Sequence, residues 1–166
     1  ATLKLKHLSN LGEATGEVGD PIIEIKLDKE NKTLHIIDQG IGMSSEEVEK
    51  YINQVAFSGA EEFLEQYKDS AADSGIIGHF GLGFYSAFMV AEKVELITKS
   101  FKDEPAAHWS CDGSPEFTLV PHDKTERGTE IILHIADDSV EFLENSKITE
   151  LLNEYNKFMP VASKFG

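Results

Sequence analysis

Between residues 93 and 136, four strand-like runs follow one another with no helix-length segment between them, and this succession limits the fold more than any other feature. The runs are KVELITK (93–99), AAHWSCD (106–112), EFTLV (116–120) and TEIILHIA (129–136), separated by turn signals at Asp103–Pro105, Gly113–Pro115 and Arg127–Gly128. Strands joined by short turns pair antiparallel, because a parallel pair needs a crossover of a dozen or more residues. Upstream, IIEIKL (22–27) and TLHIID (33–38) flank the turn DKENK and predict a hairpin. Helical periodicity lies elsewhere. Ser44 and Glu47 have capping-box spacing, and Val48, Tyr51, Ile52 and Val55 then recur on one predicted helix face. Phe63, Leu64 and Tyr67 mark a shorter helix, FYSAFMV (84–90) another, and Ile148, Leu151, Leu152, Tyr155 and Phe158 a closing one ended by Pro160. The expectation is an α/β two-layer sandwich, a mainly antiparallel sheet covered by helices. Strict βαβ alternation is missing, which argues against a doubly wound fold.

The 166 residues suit a single domain. A formal charge of −15 argues against a nucleic-acid partner, which needs clustered Lys and Arg. It does not argue against a nucleotide, whose phosphates can be held by backbone amides and Mg2+. Cys111 is the sole cysteine, so no intrachain disulfide or cysteine zinc cluster forms. No apolar run nears the roughly 20 residues of a membrane span. No membrane partner and a cytoplasmic setting are expected.

Two glycine segments carry the chemistry: DQGIGM (38–43) and GHFGLGF (78–84). Asp38 ends the apolar run TLHIID, so a carboxylate is delivered at the exit of a strand, where it can accept from the amino group of adenine. Guanine presents a carbonyl at that edge and is repelled. Gly40 and Gly42 let backbone and water approach a base closely. Gly78, Gly81 and Gly83 form G-x-x-G-x-G before a predicted helix, matching neither the dinucleotide fingerprint nor the P-loop, yet able to offer N–H groups to phosphates. A plain turn and a plain flexible loop would look similar. Thr129, after Gly128 at a strand start, can reach a base directly or through water, or serve simply as a β-former.

In order, DQGIGM, FSGAEEF (57–63), IIGHFGLGFYSAFMVAEKVELITK (76–99), RGTEIILHI (127–135) and the segment through Met159–Pro160 resemble the N-terminal nucleotide-binding domain of the ninety-kilodalton heat-shock chaperones, nearest their bacterial branch. FGLGFYSAFMVA is the most specific part. The resemblance implies the split-motif ATPase fold shared with type II topoisomerases, mismatch-repair ATPases and histidine kinases. It implies an ATP/ADP-binding domain, residues 1–166, of an ATP-dependent chaperone that assists protein folding under stress. Asp38 would bind the adenine amino group, with Gly42 and Thr129 supporting through water and Met43 lining the base. Gly81, Leu82, Gly83 and Phe84 would hold phosphates through main-chain N–H groups, and residues from about 44 to 83 would form a lid. Mg2+ would arrive with the phosphates. Client proteins would bind other domains of a homodimeric parent.

Ala1 matches the last letter of the family's E-x-x-x-N-A-x-D-A, so the water-orienting Glu, the metal-holding Asn and the family's first strand and helix would precede this chain. The family's A-K-S-G reads Ala56-Phe57-Ser58-Gly59 here. No catalytic or metal-ligating residue is therefore assigned, and the chain alone is expected to show no ATPase turnover. The alternatives are a sensor histidine kinase ATP-binding domain, and a protein-interaction module that binds no nucleotide.

Overall fold

The structure, a computed structural model, describes residues 22–53, 87–114, 116–155 and 162–165. Among the described residues there are seven strands: β1 (Ile22–Asp28), β2 (Thr33–Asp38), β3 (Ala91–Lys99), β4 (Ala106–Cys111), β5 (Phe117–His122), β6 (Gly128–Ile135) and β7 (Ala162–Phe165). They form one open sheet in the order β5-β4-β3-β6-β2-β1-β7. Only β1 and β7 run parallel; the other pairs are antiparallel. The six strands expected from alternation are all there, with ends moved by two residues at most. β5 continues through Pro121, which an edge strand tolerates because one side of it has no ladder to supply. β7 has no counterpart in the sequence reading, and it lines the outer edge of β1.

Alternation gives the sheet two unlike faces. On one, Ile25, Leu34, Val94, Leu96, Ala107, Trp109, Cys111, Leu133 and Ile135 form the core with Val48, Ile52, Leu143 and Ile148 from the helical segments. The capping box forms as expected: the Ser44 hydroxyl accepts from the Glu47 N–H, and the Glu47 carboxylate accepts from the Ser44 N–H. The helix it starts, Ser45–Val48, passes directly into a π turn, Glu49–Asn53. That wider winding changes the buried set. Tyr51, expected on the apolar face, is 54% exposed, whereas Asn53 turns inward and accepts a 2.6 Å hydrogen bond from the buried Trp109 Nε1–H. Val55 and the helix expected at 63–67 lie outside the described residues. Of FYSAFMV, the described end is a single 3-10 turn, Ala87–Met89, that leads into β3. The closing helix spans Asn145–Tyr155 and is preceded by 3-10 winding over Asp137–Leu143.

The opposite face carries a polar band. Glu95 on β3 accepts from His134 Nε2–H on β6 at 2.5 Å and from His108 Nε2–H on β4 at 2.9 Å. An ionised carboxylate can only accept, so both imidazoles must carry their proton on Nε2. Burial pushes the Glu95 carboxyl up, but the two imidazole bonds and Lys93 outweigh it and hold it below the usual range. Glu95 therefore adds stability above the unfolded-state value of about 4.3 that is lost as pH falls through the lowered folded value. Glu95→Gln is expected to cost about 1–3 kcal/mol at neutral pH, and the deficit should shrink in strong acid. Urea midpoints at both pH values test this; equal deficits would remove the charge from the explanation.

Candidate functional site

Asp38, Thr129 and Thr98 sit side by side at one end of the sheet. Asp38 is the register partner of Thr129 across β2 and β6, and Thr129 is the partner of Thr98 across β6 and β3. Thr129 and Thr98 are buried, and Asp38 is half-buried on the same core-facing phase as Leu34 and Ile36. The carboxylate of Asp38 accepts from the Gly40 N–H at 2.8 Å. Burial raises its pKa, and the Gly40 amide and Lys124 only partly offset that. A carboxylate displaced upward at the edge of a core is set to gain from a donor that returns what desolvation removed.

The segment after Asp38 is held over the end of β3. Ile41 C=O accepts from Phe101 N–H at 2.8 Å, and Met43 N–H donates to Thr98 Oγ1 at 2.9 Å. Gly42 has φ +62, and a Cβ there would overlap the Lys99 carbonyl. Gly128 has φ +127, and a Cβ there would overlap the Asp38 carbonyl. The two glycines thus let the 39–43 loop and the start of β6 close on the sheet. Lys102 ties the following helix to the β3–β4 turn through Glu47 at 2.9 Å.

Four of the residues singled out from sequence, Asp38, Gly42, Met43 and Thr129, fall within this one patch, with Met43 half-buried against the core. Gly81, Leu82, Gly83 and Phe84 lie outside the described residues, as does most of the expected lid. Sequence reasoning missed Thr98 and Gly128 as parts of this patch. The signal for Thr98 was present in KVELITK, where a threonine takes the core-facing phase of Val94 and Leu96. A buried hydroxyl at that phase needs partners, and here it has them.

A sequence profile of the family described as "Histidine kinase-, DNA gyrase B-, and HSP90-like ATPase" matches residues 12–139. "Chaperone protein HtpG" of Bacteroides thetaiotaomicron is 59% identical over 167 residues, covering 100% of this chain and 24% of that protein. The protein of the same name from Porphyromonas gingivalis is 57% identical over the same shares. "Endoplasmin homolog" of Dictyostelium discoideum is 41% identical over 160 residues, 95% of this chain and 20% of that protein. The chain spans about a quarter of the length of the curated bacterial relatives it matches.

Proposed function

Because the chain belongs to the histidine kinase-, DNA gyrase B- and HSP90-like ATPase family, as an HSP90-type ATPase domain close to HtpG, we propose that it binds ATP and ADP for an ATP-dependent chaperone. The observation that carries this reading is the half-buried Asp38 carboxylate, raised in pKa by burial and flanked in register by Thr129. Asp38 accepts from the exocyclic amino group of adenine. Thr129 and the Gly42 backbone hold water against the ring, and Met43 covers the base. Gly81, Leu82, Gly83 and Phe84 give their N–H groups to phosphates, and residues from about 44 to 83 act as the lid. Mg2+ is assigned to the nucleotide phosphates, where it would neutralise charge during hydrolysis. The described residues bring together no group of three metal-ligating side chains.

The wider protein is proposed to hydrolyse ATP, to dimerise and to handle unfolded clients through other domains, in the cytoplasm under heat and other stress. No helix among the described residues is long and apolar enough to cross a membrane.

Calorimetric titration of the chain with Mg-ADP and Mg-GDP tests the pocket. Saturable binding of Mg-ADP is expected, with Mg-GDP at least roughly tenfold weaker, since its carbonyl replaces the donor that Asp38 needs. Equal affinities would remove Asp38 from base recognition. No binding of either would favour the protein-interaction module over the nucleotide pocket.

A further inference from the structure

The patch contains one hydroxyl to which the proposed function gives no role. Thr98 Oγ1 is fully buried and lies 2.9 Å from Met43 N, 2.9 Å from Thr129 Oγ1 and 3.3 Å from the Gly128 carbonyl oxygen. A hydroxyl has one proton and two acceptor lone pairs. The Met43 N–H can only donate, so it takes one lone pair. The Gly128 carbonyl can only accept, so it takes the proton. What remains for Thr129 is a lone pair, and the Thr129 proton must point at Thr98. In the reverse arrangement, with Thr98 donating to Thr129, two oxygens without a proton between them face each other at Gly128. One arrangement alone satisfies all three contacts.

We infer that Thr98 is a positioning residue that fixes Thr129 as an acceptor toward the pocket, so that the pocket floor shows two acceptors one strand apart, Asp38 and Thr129. This rests on the adenine reading above and adds to it a rule of selection. Adenine meets the floor with one donor, its amino group; the neighbouring ring nitrogen N1 is itself an acceptor and cannot bond to Thr129 directly. A water that donates one proton to N1 and the other to Thr129 resolves the conflict. With the Thr129 proton locked inward, that water is obliged to donate to both.

The test compares Mg-ADP with the Mg-diphosphate of 1-deazaadenosine, in which N1 is replaced by C–H. In the wild-type chain the analogue is expected to bind roughly three- to tenfold more weakly, the worth of one oriented hydrogen bond. Thr98→Val keeps the side-chain shape and frees the Thr129 proton, so the water is no longer obliged to donate toward N1. Discrimination between the two ligands should then shrink by about threefold or more, and Thr98→Ser should restore it. A stably folded Thr98→Val protein with wild-type discrimination would overturn the inference, because a purely structural Thr98 would not move that ratio.

A second measurement needs neither ligand nor variant. In proton NMR of the wild-type chain, the Thr129 hydroxyl proton should exchange slowly and show a cross-relaxation peak to the Met43 amide proton, since both point at Thr98 Oγ1. A Thr129 hydroxyl proton in fast exchange with water overturns the assignment even if Thr98→Val fails to fold. Failure of the wild-type chain to bind Mg-ADP would overturn the adenine reading and the selection rule built on it, while the NMR result decides the hydroxyl polarity separately.

Discussion

Asp38→Ala is expected to weaken Mg-ADP binding by roughly 10- to 150-fold, the worth of one charge-assisted hydrogen bond. The same change should leave the fold intact or slightly more stable. Burial raises the Asp38 carboxyl, so its ionised form at neutral pH is a cost to the unliganded protein. For a raised carboxyl, the favourable contribution is complete below the unfolded-state value of about 3.9 and disappears as pH rises through the folded value. Removing the side chain removes that cost but also takes the acceptor from the Gly40 N–H, so any net gain in stability is small. Acid acts on affinity in the opposite direction. As pH falls through the raised value, the carboxylate takes a proton and the bond to adenine loses its charge assistance, so binding should weaken at a higher pH than an ordinary aspartate would allow. Asp38→Asn keeps a carbonyl acceptor and should flatten this acid dependence while recovering part of the affinity. Calorimetry from neutral to mildly acidic pH, paired with thermal melts, checks both halves. Lost stability together with unchanged affinity would make Asp38 a structural residue.

Gly128→Ala is expected to harm the fold severely. At φ +127 a side chain is strained by about 1–3 kcal/mol. Its Cβ would also meet the Asp38 carbonyl and the Gln39 Cα, and displacing backbone costs about another 1–3 kcal/mol. The sum, about 2–6 kcal/mol, is a large part of the roughly 5–15 kcal/mol that holds a domain together. Gly113→Ala is the control. Gly113 also has positive φ, +85, but a Cβ there would meet only the Phe88 ring at 3.9 Å. The difference in denaturant midpoint between the two variants isolates the close approach from the backbone strain. Similar midpoints would mean that β6 can move away from Asp38 cheaply, and that the row Asp38–Thr129–Thr98 is not rigidly spaced.

The strands were legible because each is half-buried, and a half-buried strand must alternate. β3 shows this plainly: Val94, Leu96 and Thr98 face the core, and Lys93, Glu95 and Ile97 face outward. β7 was not legible. Four residues after Pro160 carry too little pattern to announce a strand, and its pairing with β1 depends on a partner about 140 positions away in the chain. Tyr51 went wrong for a different reason. Its spacing from Val48 fits an α-helix, but the chain winds as a π turn there, and the phase of a helix face depends on the winding. At the candidate site, Asp38 and Thr129 drew notice because charge and glycine at strand ends are local signals. Their alignment with Thr98 was not, because it is a property of register across three strands.

Trp109 is the single tryptophan of the chain, wholly buried on β4, with its indole N–H held by Asn53 at the end of the π turn. Light absorbed selectively by indole is therefore re-emitted from one known place, the seam between the sheet and the helical segment that starts just past the 39–43 loop. Loosening of that seam would expose the ring to water and shift its emission to the red, while unfolding that spares the seam would leave the colour unchanged. The protein carries its own optical gauge of how tightly this segment is seated, without an added label.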